Sequence, residues 1–425
     1  MYEPLKGFRD FYPAEMGPRR RVIETIETVV RGYGFQEIAT PSLEQTQLYI
    51  EKSGPDIVDE LYSFTDKGGR EVSLTPELTP TVARMVAARE KEMTKPIKWF
   101  STRPFWRYEE PQQGRFREFY QTNIDIFGAD DPTADAEILA CCADFLTELG
   151  LTADDFEFRI SHRDILGTLV TWADPEIDRL EAIRAIDRTA TESIEATADE
   201  LVATGMRRET ADEVATLLEE ASADLTILSR ATDSDPLQAA VDELEAVLAA
   251  TEDYGVAEYC TLSLKTARGL DYYTGVVFEC FDTQGAVSRA IFGGGRYDDL
   301  IESLGGPSMP AVGVAPGLAT LLLLLERADI LPEATNAVDY FVLQAGDTRP
   351  TAAKVARHLR GEGYVVEVDL AGRGFGSQLS YADSIAASKT IIVGERDLAE
   401  GMVTVKDMET GDQEQEPLEM YLPDG

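Results

Sequence analysis

Histidine is almost absent from this chain, lysine is scarce, and the few cysteines form no pattern. Two histidines, His162 and His358, stand far apart in 425 residues. They are too few and too distant for a metal site, so each is expected to be a surface or packing residue. The cysteines, Cys141, Cys142, Cys260 and Cys280, include no C-x-x-C pair, which excludes a zinc knuckle or a disulfide framework. The longest apolar run, around "LATLLLLLE" from Leu318, falls far short of the ~20 residues of a membrane span. No G-x-x-x-x-G-K-[ST] loop occurs, which argues against a Walker-type nucleotide site. "MYEPLKGFRD" has no charged-then-apolar targeting pattern. These absences predict a soluble, reduced, cytoplasmic protein with no membrane partner.

Acid is what the chain has in excess: 78 Asp and Glu against 39 Lys and Arg, a net charge of -39. The basic residues divide into ten lysines and 29 arginines. Hydrophobic residues make up 44% and the acids are spread along the chain, so the imbalance does not read as disorder. Such a charge destabilises a compact fold by self-repulsion in dilute buffer. In about 1 M salt the Debye length falls to roughly 3 Å and the repulsion largely disappears. The composition reads as adaptation to a salt-saturated cytoplasm.

The length suggests two or three domains. Helical spacing runs from Arg19 to Val30, with Gly32 and Gly34 as a stop. "FQEIATPSLEQ" reads as a strand ending at Pro41, and "ELYSFTD", "KGGR" and "EVSLTP" as a hairpin. A helix from Pro80 to about Lys91 and a strand from Ile97 to Ser101 come next. "RPFWRYEE" and "REFYQTNIDIFG" read as two strands joined by the polar loop "PQQGRF". From Asp174 to Tyr254 a helical pattern, interrupted at Gly205, reads as a separate insertion, as readily a solvated spacer as a functional element. Strands return in "YYTGVVFECF" and "AVSRAIFGGG", then a helix over "YDDLIESL", "PAVGVAPG" and another helix. After Leu331 strands and helices alternate as in a small α/β domain. The expected fold class is α+β: a core of residues 1–330 with the insertion at about 170–255, and an α/β domain over 331–425.

Three segments carry candidate chemistry. In Arg103–Gln121, four arginines (Arg103, Arg107, Arg115, Arg117) are interleaved with aromatic rings. This fits either a hairpin with rings inside and arginines in water, or a site for a polyphosphate on a flat ring, with arginine forks on phosphate oxygens and Phe119 against a purine. In "KTARGLDYYTGVVFE", Arg268 precedes a turn Gly, an Asp and two tyrosines; on a strand Tyr272 and Tyr273 would face opposite sides, one into a pocket. In "FGGGRYDDL" three glycines let backbone approach closely, and Asp298 near a helix start suits the helix dipole.

Together and in order, these segments resemble the class II histidyl-tRNA synthetases over nearly the whole chain and, with the acidic composition, the halophilic archaeal type. "PSLEQ" resembles the first class motif, which implies a homodimer. "LTPELT" resembles the loop for the amino acid's ammonium group, here Glu77 and Thr79. "FWRYEEPQQGRFREF" resembles the second motif, for ATP and the tRNA acceptor end. "RGLDYY" and "GGGRYDDL" resemble segments peculiar to this family, and the last domain is similar to its anticodon-binding domain. The resemblance implies histidine, ATP with Mg²⁺ on its phosphates, and tRNA(His) as ligands. It implies attack of the histidine carboxylate on the α-phosphate, then transfer to the 3′ end of the tRNA. By the same resemblance Arg107 and Arg268 grip the α-phosphate region, Arg115 lies near the outer phosphates, Phe119 under the adenine and Glu109 at the adenine edge or ribose. Glu77 pairs with the ammonium, and Gln121 and Asp125 project from one strand face. Asp125 and Tyr273 meet the two imidazole nitrogens, beside Tyr272. One departure stands out: Thr320 in "GLAT" occupies the place of an arginine that usually covers the adenine. The rival reading is the synthetase-like regulatory subunit of ATP phosphoribosyltransferase, which Arg268 and the domain after Leu331 oppose.

Overall fold

The computed structural model describes residues 2–52, 55–231, 234–268, 270, 272–285, 289–332 and 338–422. Gly269, Asp271 and residues 286–288, part of the segments quoted above, lie outside the described residues. The chain divides into two compact units with a break at about residue 332, Tyr12–Gly17 being grouped with the second.

The first unit is built on a sheet of eight strands among the described residues. Their order is Gln36–Glu37, Ile97–Trp106, Glu118–Phe127, Ala311–Val314, Phe292–Arg296, Val276–Asp282, Phe156–His162 and Cys260–Leu262. Only the outermost pair at each end is parallel; the six central strands are antiparallel neighbours. The two strands expected before and after residue 101 are one: Ile97–Trp106 pairs with Glu118–Phe127 along its whole length, from Ile97 opposite Phe127 to Trp106 opposite Glu118. Pro104 sits inside this strand, on the ladder beside Tyr120. The three glycines lie within the Phe292–Arg296 strand and not after its end.

The first helix, Pro13–Gly32, buries Val22, Ile26 and Val30 at steps of four, with Ile23 beside them, as a one-sided helix requires. Four further helices, Arg179–Arg188, Ile194–Ala203, Arg208–Ala223 and Asp235–Asp253, form the insertion. Asp178, Ser193 and Ser234 cap three of them by accepting from backbone amides, each such cap contributing about 1 kcal/mol. These helices are not a spacer apart from the core: Ile183, Leu201, Val214 and Leu244 belong to one buried apolar cluster with Phe158 and Leu166. The helix expected over residues 297–304 is only Leu300–Ser303. Asp298 does not cap it but accepts from the Ala311 amide at 2.8 Å, pinning a neighbouring strand.

His162 is a packing residue, not a ligand. Buried at the start of the Arg163–Ala173 helix, it accepts from the Asp164 amide through Nδ1 at 3.1 Å. That leaves Nε2 to donate to Glu243, 3.2 Å away.

The second unit has strand order Val366–Val368, Tyr340–Ala345, Lys389–Gly394, Met402–Asp407, Gln413–Pro417. The first three are parallel and the last two add an antiparallel hairpin that the βαβ pattern did not announce. Alternation along Tyr340–Ala345 buries Val342 on one face, with Val355 and Leu359, and Phe341 and Leu343 on the other, with Ala382, as a sheet covered on both sides requires. Among the described residues no helix is long and apolar enough to cross a membrane.

Candidate active site

A cavity of about 710 Å³ opens over the middle of the large sheet. Its walls include Glu77, Thr79, Arg107, Glu109, Arg115, Phe119, Gln121, Arg268, Tyr272 and Tyr273. Residues far apart in sequence are brought together by the antiparallel strands and the loops that leave them.

The four arginines of the aromatic segment have two fates. Arg103 is buried and gives its Nη1 to the carbonyls of Thr40 and Pro41 at 2.9 and 3.0 Å. Arg117 lies 3.8 Å over the Tyr108 ring and donates to the Glu109 carbonyl. Arg103 thus braces the segment after Gln36–Glu37, and Arg117 the loop. Arg107 and Arg115 face the cavity, both near Glu109, at 3.9 and 3.2 Å. Arg107 is fixed by its Nε bond to the Pro76 carbonyl and lies 5.5 Å from the Phe119 ring centre. Phe119 rests on buried Phe105, so one ring face remains toward the cavity.

Arg268 is held on both its backbone and its side chain. Its backbone has φ +60°, a left-handed conformation that costs a non-glycine residue about 1–2 kcal/mol. The surroundings supply what offsets this. Asp187 Oδ1, from the insertion, accepts from the amides of Arg268 and Ala267 at 2.6 and 3.2 Å. On the other side Arg163 donates to the carbonyls of Ala267, Arg268 and Leu270. The guanidinium meets Glu279 at 2.7 Å. Burial opposes its charge, but Tyr273, Glu279 and Asp187 together raise its pKa above the usual arginine range. A Cβ on Gly293 would lie 2.8 Å from Arg268 Nη1: the bare strand makes room for the side chain.

Tyr272 and Tyr273 both line the cavity, against the expectation of opposite faces. The strand begins only at Val276, so strand alternation does not apply to them, and the rings lie side by side at 4.9 Å. Tyr272 donates to Glu77 Oε2 at 2.9 Å. Burial raises its pKa well above the usual value, and the Glu77 charge adds to this.

Asp125 departs from the expected placing. It is buried and is not among the cavity-lining residues, and it lies opposite Gly313 on the next strand. Its Oδ1 accepts from Tyr297 at 2.5 Å. A Cβ on Gly313 would overlap this carboxylate, so the bare glycine makes room for it on that face of the sheet. Burial pushes its pKa up to about 7, although the Tyr297 hydrogen bond works the other way. Tyr297, its hydrogen-bond partner, does line the cavity, as does Gly313. The place of Tyr297 in "GGGRYDDL" drew attention to the glycines instead. Asn123, Asp187, Glu279 and Arg289 also line the cavity. Asn123 was within reach of sequence reading, two positions from Gln121 on the same strand face.

Thr320 is buried and donates to the Ile291 carbonyl at 2.7 Å, tying the Leu318–Arg327 helix to the strand region before the glycines.

A family model described as histidyl-tRNA synthetase matches residues 7–321, and one described as anticodon binding domain matches 334–421. This chain belongs to the histidyl-tRNA synthetase family. A histidine–tRNA ligase of Natronomonas pharaonis is 60% identical, covering 100% of this chain and 98% of its own. One of Haloarcula marismortui is 58% identical at the same coverage. The crystal structure of a histidyl-tRNA synthetase from a Nostoc species aligns with TM-score 0.82 at 25% identity, over 99% of this chain and 98% of that one. The α+β fold, with its antiparallel-rich sheet and small α/β unit, is thus the class II fold of this family.

Proposed function

We propose that the cavity around Arg268 is where this chain activates histidine with ATP before passing it to tRNA. The activity is that of a histidine–tRNA ligase, as in the full-length relatives. The observation that carries the assignment to this cavity is the convergence of a braced Arg268, the Tyr272–Glu77 pair and the Arg107–Phe119 wall in one space. In this reading Glu77 and Thr79 take the ammonium end of histidine. Tyr272, Tyr273 and Gln121 surround its side chain, and Tyr297, backed by Asp125, offers the imidazole a hydroxyl whose hydrogen-bonding direction the buried carboxylate sets. Phe119 supports the adenine, with Glu109 at its edge or ribose, and Arg115 lies toward the outer phosphates.

The carboxylate of histidine attacks the α-phosphorus and pyrophosphate leaves. Charge spreads over phosphate oxygens, so positioning and fixed cations do most of the work. Arg107 and Arg268 are the two catalytic cations: each is held by the protein before ligand arrives, and neither needs to reorganise during the step. Among the described residues no group of three or more His, Cys, Asp or Glu side chains is arranged to hold a metal ion. Mg²⁺, as the resemblance implies, would be carried on the ATP phosphates, where it would neutralise part of their charge.

The unit after residue 332 would read the anticodon region of tRNA(His), which the match to an anticodon-binding model supports. A homodimer is supported by apolar side chains exposed on and near the small sheet of Leu43–Gln45, Ser63–Thr65 and Glu71–Leu74, namely Leu43, Ile50 and Phe64. The acidic composition and the halophilic archaeal relatives support a cytoplasmic enzyme adapted to salt. The test is amino-acid-dependent pyrophosphate exchange in molar KCl. Exchange with histidine alone is expected; histidine binding without exchange would instead favour a sensor protein.

A further inference from the structure

Arg289 belongs to no sequence motif, yet it stands at a corner of the cavity where three elements meet. Half-buried just before the Phe292–Arg296 strand, it donates from Nη2 to the Gln113 carbonyl at 2.9 Å. Gln113 is at the tip of the loop between the two long strands. A Cβ placed on Gly114 would lie 3.0 Å from Arg289 Nη2 and 3.2 Å from Thr320 Cγ2. The guanidinium, the loop tip and the first turn of the Leu318–Arg327 helix therefore converge there. Gly114 has φ +73°, so glycine serves this corner both by conformation and by size.

The charges at this corner do not balance. Arg289 has Arg115 and Glu109 as its charged neighbours, and burial together with Arg115 lowers its pKa. Glu109 already faces Arg115 at 3.2 Å and Arg107 at 3.9 Å. Arg107, Arg115 and Arg289 thus gather around Glu109, in a chain whose net charge is -39. Holding like charges together and partly out of water is unfavourable until an anion joins them, and planar guanidinium forks match phosphate oxygens.

We propose that Arg289 is a phosphate-binding residue that grips the outer phosphates of ATP from the loop-side wall, supplying the cation that Thr320 does not. This rests on the reading of the cavity as the ATP and histidine site. Its bond to Gln113 also ties the loop tip to the strand region, so the test must separate charge from tether.

The experiment compares wild type with Arg289→Ala, Arg289→Gln and Arg289→Lys in histidine-dependent pyrophosphate exchange and in equilibrium binding of ATP and of AMP, all in molar KCl. Ala and Gln should each raise the KM for ATP about tenfold or more, the size of a lost charge-assisted hydrogen bond. Lys should recover part of it. The KM for histidine and the affinity for AMP, which has no outer phosphates, should stay as in wild type. Gln can still donate to the Gln113 carbonyl, so wild-type ATP affinity in that variant would reduce Arg289 to a tether and overturn the proposal. Equal loss of ATP and AMP binding would also overturn it by moving the contact to the adenosine side. Unaltered ATP parameters in all three variants would overturn it while leaving the function of the cavity intact. If wild type itself shows no exchange, the reading of the cavity fails and the proposal fails with it.

Discussion

At the scale of single residues, Arg268 and Asp125 show how burial sets what a side chain can do. Arg268 is held in place by neighbours that do no chemistry themselves. Its replacement by alanine is expected to lower kcat about 10²–10³-fold, the range seen when one fixed stabiliser of developing charge is removed, with the KM for histidine little changed. The same change would leave Glu279, buried and paired to it at 2.7 Å, without its cation, a loss of about 3–5 kcal/mol. Steady-state kinetics should therefore include Arg268→Ala with Glu279→Gln, in which the fold is restored but kcat is not. Recovery of turnover in that double variant would remove Arg268 from catalysis. Asp125 gives a pH test. Its folded pKa of about 7 lies above the value of roughly 3.9 for an unfolded chain. Between the two the folded protein keeps a proton that the unfolded chain has released, so the contribution to stability is full at low pH and is lost as pH rises through about 7. Asp125→Asn has no such loss. Melting curves should place the variant progressively higher relative to wild type from pH 5 to pH 8, and a pH-independent difference would mean that Asp125 is ionised throughout.

Among the elements, the helical insertion is the one whose role the fold changes most. Read as a chain segment it is an amphipathic run rich in acid. Folded, its first helix delivers Asp187 to the amides of Ala267 and Arg268, and its last helix delivers Glu243 to His162 and, at 3.6 Å, to Arg296 beside Tyr297. Asp187 is a positioning residue. Asp187→Ala should lower kcat roughly tenfold, as the loss of buried hydrogen bonds of about 1–3 kcal/mol implies. Asp187→Asn retains an acceptor oxygen and should recover most of it. A fall in melting temperature with unchanged kcat would limit Asp187 to a structural role. The long hairpin carries the opposite lesson: its alternation and its arginines were legible, but which arginines face the cavity was not. Arg103 and Arg117 have the same kinds of neighbour in sequence as Arg107 and Arg115. Only the register of the hairpin and the path of the loop separate the pair that braces from the pair that faces the cavity.

For the whole molecule, charge is the governing quantity. A net charge of -39 is spread over two units, each with its own core. Removing salt should lower the melting temperature strongly and reversibly, with recovery in molar KCl as the Debye length shrinks to about 3 Å. A melting temperature that stayed flat from dilute buffer to molar KCl would contradict adaptation to salt. Phosphate contacts weaken as salt rises, so tRNA binding should depend less on long-range attraction than on stacking and hydrogen bonds. In the proposed ATP site, cations partly shielded from solvent ions, such as Arg107 and Arg268, would lose least of their attraction in salt.

Local patterns settled much of this protein without a structure. Spacing of apolar residues gave the first helix, the insertion helices and the alternating strands and helices of the second unit, because these depend on periods that a sequence carries on its face. Short motifs with unusual residue types, Arg268 before two tyrosines and arginines interleaved with rings, marked residues that the fold brings into one cavity. What required the tertiary structure is what depends on which strand lies beside which. Asp125 has room for its buried carboxylate because Gly313 is its partner on the next strand. Tyr272 and Tyr273 share a side because their strand starts later than its pattern suggests. Asp187 and Arg289 reach the site from segments with no motif at all. A contact between residues distant in sequence leaves no period in the chain, and the grouping of Arg107, Arg115 and Arg289 near Glu109 exists only once the loop, strand and helix have met.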